Sequence, residues 1–194
     1  VKHLTEPSAE SEIIRRIVEG EKQLFAVIVD RYKVKVYGII RSMGLNHQDS
    51  QDIAQEAFVK IYRSLANYQD EGHFSAWVYR IVVHAVKDLQ RRNRIRSASN
   101  DEGIHEPSHQ HTPEQLVLQK EMQREIYRQL QELPLKYRLV LLLKYTNDLT
   151  YEEICEITGL NADQVRNAMH RGKRSLKKQI ENKGGIWFET YTKG

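Results

Sequence analysis

Residues Thr150 to Leu176 read TYEEICEITGLNADQVRNAMHRGKRSL. Thr150 with Glu153 has the form of a capping box, in which each side chain satisfies the other residue's free backbone N–H at a helix start. Gly159 supplies a left-handed turn residue, and Asn161 with Gln164 at the reciprocal position begins a second helix. At about 100° per residue, Val165, Met169, Gly172 and Leu176 fall on one stripe, and Asn167, His170, Arg171, Arg174 and Lys178 fall opposite. The stretch therefore predicts helix, tight turn, helix, with an apolar back and a basic, hydrogen-bonding front on the second. A helix lying in the DNA major groove needs that division. A solvated basic face on an ordinary helical hairpin is the plainer reading. Caps, turn and polarity agree with each other, which favours the DNA-reading one.

Working outward, the chain has 194 residues, 29% charged and 40% hydrophobic, enough for one or two modest helical cores. Its four prolines and few alternating β-branched runs argue against a β-rich fold. The formal net charge is only +4, but it is unevenly spread. Arg80, Lys87, Arg91, Arg92, Arg94 and Arg96 stand against Asp88, and Arg166, Arg171, Lys173, Arg174, Lys177 and Lys178 stand against Asp163. Two basic patches far apart in sequence predict a polyanion touched at two places. Cys155 is the only cysteine, so no intramolecular disulfide or cysteine-based metal cluster is expected. Beside Ile154 and Ile157 it reads as a small buried residue. No apolar run approaches the ~20 residues of a membrane span and the start is not a signal peptide, so the expected location is the cytoplasm, without membrane insertion.

Residues 10–96 read as helices with short joints. Ile13, Ile17, Leu24, Phe25, Ile28, Val29, Tyr32, Val36, Ile39 and Ile40 carry the first apolar pattern, closed by Gly44 to Asn46. Asp49 is expected to cap the next helix, through Leu65, and Asn67 to His73 forms a polar loop. Residues 97–113 hold almost no apolar residue and predict a flexible linker. Its His105, His109 and His111 are expected to be solvated rather than to gather a metal. Thr112 and Pro113 reopen helical order, giving a second domain over 114–182 with helices at about 114–131, 134–146, 150–158 and 161–181. The tail 183–194, with Ile186, Trp187, Phe188 and Tyr191, is expected to fold back on its own domain. The expected fold class is all-α: two small helical domains joined by a linker, the C-terminal one containing the helix-turn-helix.

On the helix from Phe74, a stripe of Phe74, Val78, Ile81, Val82, Ala85 and Leu89 is expected to be buried. Arg80, His84, Lys87 and Arg91 form a line on another face, with Tyr79, Val83 and Val86 adjoining it. Cations with an aromatic beside them suit a phosphate backbone and a stacked unpaired base. Trp77, at the edge of the apolar stripe, reads either as a core anchor or as a stacking platform. On the preceding helix, Ala54, Ala57, Phe58, Ile61 and Leu65 face inward, while Asp52, Gln55, Glu56 and Arg63 face out around Val59. A polar stripe with an apolar centre has the make-up of a protein-docking face. There is no internal repeat, no Gly-rich phosphate loop and no nucleophile–base set, so neither an enzyme nor a cofactor is expected.

The run from Asp49 through Asp52, Gln55, Glu56 and Phe58 to Tyr62 resembles the core-polymerase-binding helix of bacterial sigma factors. The stretch Phe74 to Ile81, with Trp77, Tyr79 and Arg80, looks like the helix that family uses on the −10 promoter element. Leu133, Pro134, Tyr137 and Arg138, with Tyr151 to Ile154, resemble its C-terminal domain. The two-domain layout is similar to the extracytoplasmic-function group. The resemblance implies that Asp49, Asp52, Gln55, Glu56 and Val59 contact core RNA polymerase. It implies that Trp77, Tyr79, Arg80, His84, Lys87 and Arg91 serve the −10 element, and Arg166, Asn167, His170, Arg171, Arg174, Lys177 and Lys178 the −35 element of promoter DNA. It also implies an anti-sigma factor as a partner. Two positions depart from the family's common pattern: His84 stands where many members have Asn, and Ala168 where many have Arg. A stand-alone helix-turn-helix regulator accounts for residues 150–181 but leaves the Asp49–Tyr62 face unused, and an RNA-binding protein uses both basic patches without polymerase.

Overall fold

The computed structural model describes residues 9–69, 73–99 and 128–182. Residues 100–113 of the expected linker with its three histidines, residues 114–127 of the helix expected at about 114–131, and the apolar tail lie outside the described residues. Among the described residues every regular element is helical. The chain divides into two compact units, the second comprising 42–46 and 106–194 and the first the remainder.

The first unit contains α1 (Ala9–Val18), α2 (Phe25–Ser42) apart from its last residue, α3 (His47–Ser64) and α4 (Phe74–Ser99). One-turn 3₁₀ segments at Lys22–Leu24 and Leu65–Asn67 make the joints after α1 and α3. The Glu10 carboxylate accepts from the Tyr32 hydroxyl at 3.1 Å and from the Arg31 guanidinium at 2.6 Å, tying α1 to α2. Ile28, Val36, Ile39 and Ile40 of α2, Ile53, Ala57 and Ile61 of α3, and Val78, Val82 and Val83 of α4 are buried. Helix α3 begins two residues before Asp49, so Asp49 lies in its first turn and does not cap it; a carboxylate there still complements the helix dipole. Helix α4 continues to Ser99, past Arg96, where the turn-prone composition had suggested a linker.

The second unit is built from α5 (Leu135–Tyr145), α6 (Tyr151–Thr158) and α7 (Ala162–Asn182). Five consecutive residues of α5, Leu139 to Leu143, are buried, so this helix has neighbours all round. Before it, the Arg138 guanidinium donates to the carbonyls of Gln131 (2.6 Å) and Leu133 (2.8 Å), satisfying the end of the preceding turn, and Pro134 stops that turn from continuing. The spacing Leu133-Pro134…Arg138 thus has a local cause. After α5, the Lys144 ammonium donates to the Leu149 carbonyl at 3.0 Å, and the chain enters α6.

Candidate nucleic-acid interface

The helix-turn-helix forms as its sequence predicts. The Thr150 hydroxyl accepts from Glu153 N–H at 3.2 Å, while the Glu153 carboxylate accepts from Thr150 N–H at 2.6 Å. Asn161 and Gln164 repeat the exchange at 2.8 and 3.1 Å. Gly159 takes φ +75°, the left-handed conformation, and its N–H donates to the Cys155 carbonyl at 2.8 Å. Cys155 is half-buried rather than fully enclosed, because α6 places it beside its apolar stripe and not within it.

On α7, Val165, Ala168, Met169 and Gly172 are buried and Leu176 is half-buried. Arg166, Asn167, His170, Arg171, Arg174, Lys177 and Lys178 are all exposed. Asp163 binds the Arg166 guanidinium at 2.6 Å, and Glu181 lies 3.7 Å from the Lys177 ammonium. Among the described residues, Arg171 and Arg174 have no carboxylate at ion-pair distance, so their forks remain available to a ligand. Lys173 lies over the Tyr145 ring, 5.0 Å from its centroid, and borders the same surface. Ala168 is only 1% exposed, so the departure from the family pattern at this position falls on the core side of the helix.

Helix α4 needs a correction. Tyr79 is 1% exposed, and its ring meets the buried Tyr32 edge-on at 6.0 Å. Burial also holds its phenol well above the ordinary range. Val83 and Val86 are buried beside it, whereas the expected stripe members Ile81 and Leu89 are only half-buried. Helices on more than one side widen the buried face of α4, so Tyr79 is a core residue and not a partner for an unpaired base. The cationic line survives: His84, Lys87 and Arg91 are exposed and Arg80 is half-buried. Partial desolvation by the helix surface depresses the His84 pKa, with the Lys87 charge acting in the same direction; the same partial desolvation depresses that of Lys87. Lys87, Gln90, Arg91 and Arg94 line an open cleft of about 410 Å³, to which Arg94 had not been assigned from sequence. Trp77 is half-buried and packs with Phe74 (5.5 Å, stacked) and Tyr68 (5.1 Å).

On α3, Asp52, Gln55, Glu56 and Arg63 are exposed around Val59, which is 44% exposed, and Asp49 is half-buried. Glu56 lies 4.0 Å from Arg92 of α4. This face was legible in the sequence because its polarity repeats with the helix. Lys136 and Gln164, which share a cleft with Asn167 and Arg171, were not legible as site residues, because Lys136 lies on a different helix.

Residues 28–96 match the model of Sigma-70 region 2, and residues 123–176 match that of Sigma-70 region 4. The ECF RNA polymerase sigma factor SigW of Bacillus subtilis is 33% identical over 178 residues, covering 87% of this chain and 95% of the relative. The chain is an extracytoplasmic-function sigma factor. The RNA polymerase sigma-H factor of Pseudomonas aeruginosa is 30% identical over 181 residues, 89% of this chain and 94% of the relative. Among solved structures, the fold is similar to sigma factor RpoE of Bartonella quintana, crystallised with the anti-sigma factor NepR, at a TM-score of 0.68 and 16% identity over 81% of this chain and 96% of that one. As a sigma factor, the protein associates with core RNA polymerase and directs promoter-specific transcription initiation. No helix among the described residues is long and apolar enough to cross a membrane.

Proposed function

We propose that the two units divide promoter recognition between them, with a domain at 10–96 for polymerase binding and the −10 element and one at 114–182 for the −35 element. The linker between them begins after Ser99, where α4 ends, and the tail 183–194 follows the second domain. On this reading α7 enters the major groove at the −35 element. Arg171 and Arg174 reach base edges, with Arg166, Asn167 and His170 beside them, while Lys177 and Lys178 hold phosphate. Arg80, His84, Lys87 and Arg91 follow the backbone of the −10 region, and Trp77 borders the place where its strands part. Asp49, Asp52, Gln55, Glu56 and Val59 dock on core polymerase. The observation that carries the reading is the clean division of α7, with Arg166, Arg171, Lys173, Arg174, Lys177 and Lys178 exposed and Val165, Ala168, Met169 and Gly172 buried.

The protein contributes no catalysis of its own and acts in the cytoplasm, where polymerase and promoters are. An anti-sigma factor is a further partner; the similar RpoE structure contains one, which supports the proposal. Run-off transcription with purified core polymerase tests the whole. Initiation at a defined start that depends on adding this chain is expected, and its absence with active core enzyme would refute the reading. A stand-alone regulator or an RNA-binding protein gives no such dependence.

A further inference from the structure

The first turn of α5 and the middle of α7 enclose an open-sided cleft of about 240 Å³, lined by Lys136, Tyr137, Gln164, Asn167, Ala168 and Arg171. Two cations from different helices converge on it, and no carboxylate is among its walls. The Gln164 amide is oriented, because its oxygen accepts from Asn161 N–H at 3.1 Å and its nitrogen is left as a donor. The N–H of Tyr137 is already donated to the Pro134 carbonyl at 2.9 Å, so α5 contributes only the positive end of its dipole here. The walls therefore offer donors and positive charge to a small anion.

The position of the cleft selects among anions. Gln164, Asn167 and Arg171 are spaced i, i+3 and i+7, so they form one flank of α7 beside its outward face. A helix about 10–12 Å across nearly fills a major groove about 12 Å wide, so each flank meets a sugar–phosphate strand. Lys136 stands off this helix on α5 and presents a point charge, which suits phosphate better than a base edge. We infer that this cleft seats one backbone phosphate flanking the −35 element, with Lys136 as the residue that holds it and Arg171 shared between phosphate and base. The inference rests on α7 reading the −35 element and adds a contact from outside the recognition helix.

Lys136 is exposed, so Lys136→Gln removes the charge without disturbing the core. Holoenzyme carrying either full-length chain is titrated onto a duplex with the −35 sequence that the wild type enriches from a randomised library. The slope of log K against log salt is expected to fall by about 0.9 in the variant, the increment for one phosphate on B-DNA, so the wild-type advantage shrinks about 3.5-fold over a fourfold rise in salt. A neutral methylphosphonate at one flanking position should cause the same loss in the wild type and no further loss in Lys136→Gln. Preference among −35 bases should not change. An unchanged slope overturns the inference, as does a variant that remains fully sensitive to every methylphosphonate position. If inorganic pyrophosphate stabilises the free wild-type chain but not the variant, and promoter slopes are equal, the cleft binds a free anion and not DNA. If the wild-type holoenzyme enriches no −35 sequence at all, the groove-reading assignment of α7 fails first, and this inference with it.

Discussion

Gly172 lies against Tyr137 and Leu141 in the contact between α7 and α5, and replacing it tests whether that approach is required. A Cβ at this position would lie 3.1 Å from Leu141 Cδ1, 3.2 Å from Tyr137 Cβ and 3.3 Å from Leu141 Cγ. Ordinary carbon contacts are about 3.5–4.0 Å, so all three are compressed. Leu141 can yield at its end, but Tyr137 Cβ is fixed to the α5 backbone, so the helix itself must retreat. For Gly172→Ala the compression works against a helix-propensity gain of about 1 kcal/mol, and the two nearly balance. Gly172→Val gains only a few tenths from propensity and adds two more carbons, so the overpacking cost of about 1–3 kcal/mol dominates. Because the chain has two units, a single melting temperature mixes them, whereas amide hydrogen exchange separates them. Gly172→Val should speed exchange in α5 and α7 and leave α3 and α4 at wild-type protection. Full protection of α7 in the valine variant would show that the helices do not pack through this residue.

Reversing Asp52 or Glu56 to Arg should weaken core-polymerase binding by about tenfold or more, since an exposed like charge then faces a complementary surface; competition binding on purified core polymerase measures it, and wild-type affinity in both variants removes α3 from the interface. Arg171→Ala and Arg174→Ala should each lower discrimination among −35 sequences by about 1–3 kcal/mol, whereas Lys177→Ala and Lys178→Ala weaken all sequences alike, as binding to a panel of −35 variants would show. His84 should titrate below 6.5 in the free chain, because partial desolvation and then Lys87 disfavour its charged form. Its contribution to stability is then present above pH 6.5 and lost as the pH falls through the lower folded value; an NMR titration giving a folded pKa above 6.5 contradicts this.

The parts of the fold that were legible in the sequence are those determined locally. Thr150 with Glu153, Gly159, and Asn161 with Gln164 act within three residues of one another, and all formed as read. The exposed face of α3 and the two sides of α7 were legible because each helix packs along one side, where period alone separates core from surface. Helix α4 was misread at Tyr79, Val83 and Val86, since the width of its buried face depends on where Tyr32 and Phe74 sit, and periodicity carries no such information. The Asp49 cap failed because α3 starts earlier, at His47, and helix starts are determined by chain entry as much as by the favoured capping residue. Lys136 was invisible as a site residue: nothing in the spacing from 136 to 171 foretells that α5 and α7 meet at those turns.

If one unit contacts the −10 element and the other the −35 element, site-specific crosslinking separates the two contacts. A photoreactive residue is placed at Arg174 or, separately, at Arg91, both exposed, and the holoenzyme is irradiated on an end-labelled promoter duplex. Crosslinks from position 174 should be confined to the −35 element and those from position 91 to the −10 element. Crosslinks from both positions to the same element, or from position 174 to the −10 element, would contradict that division.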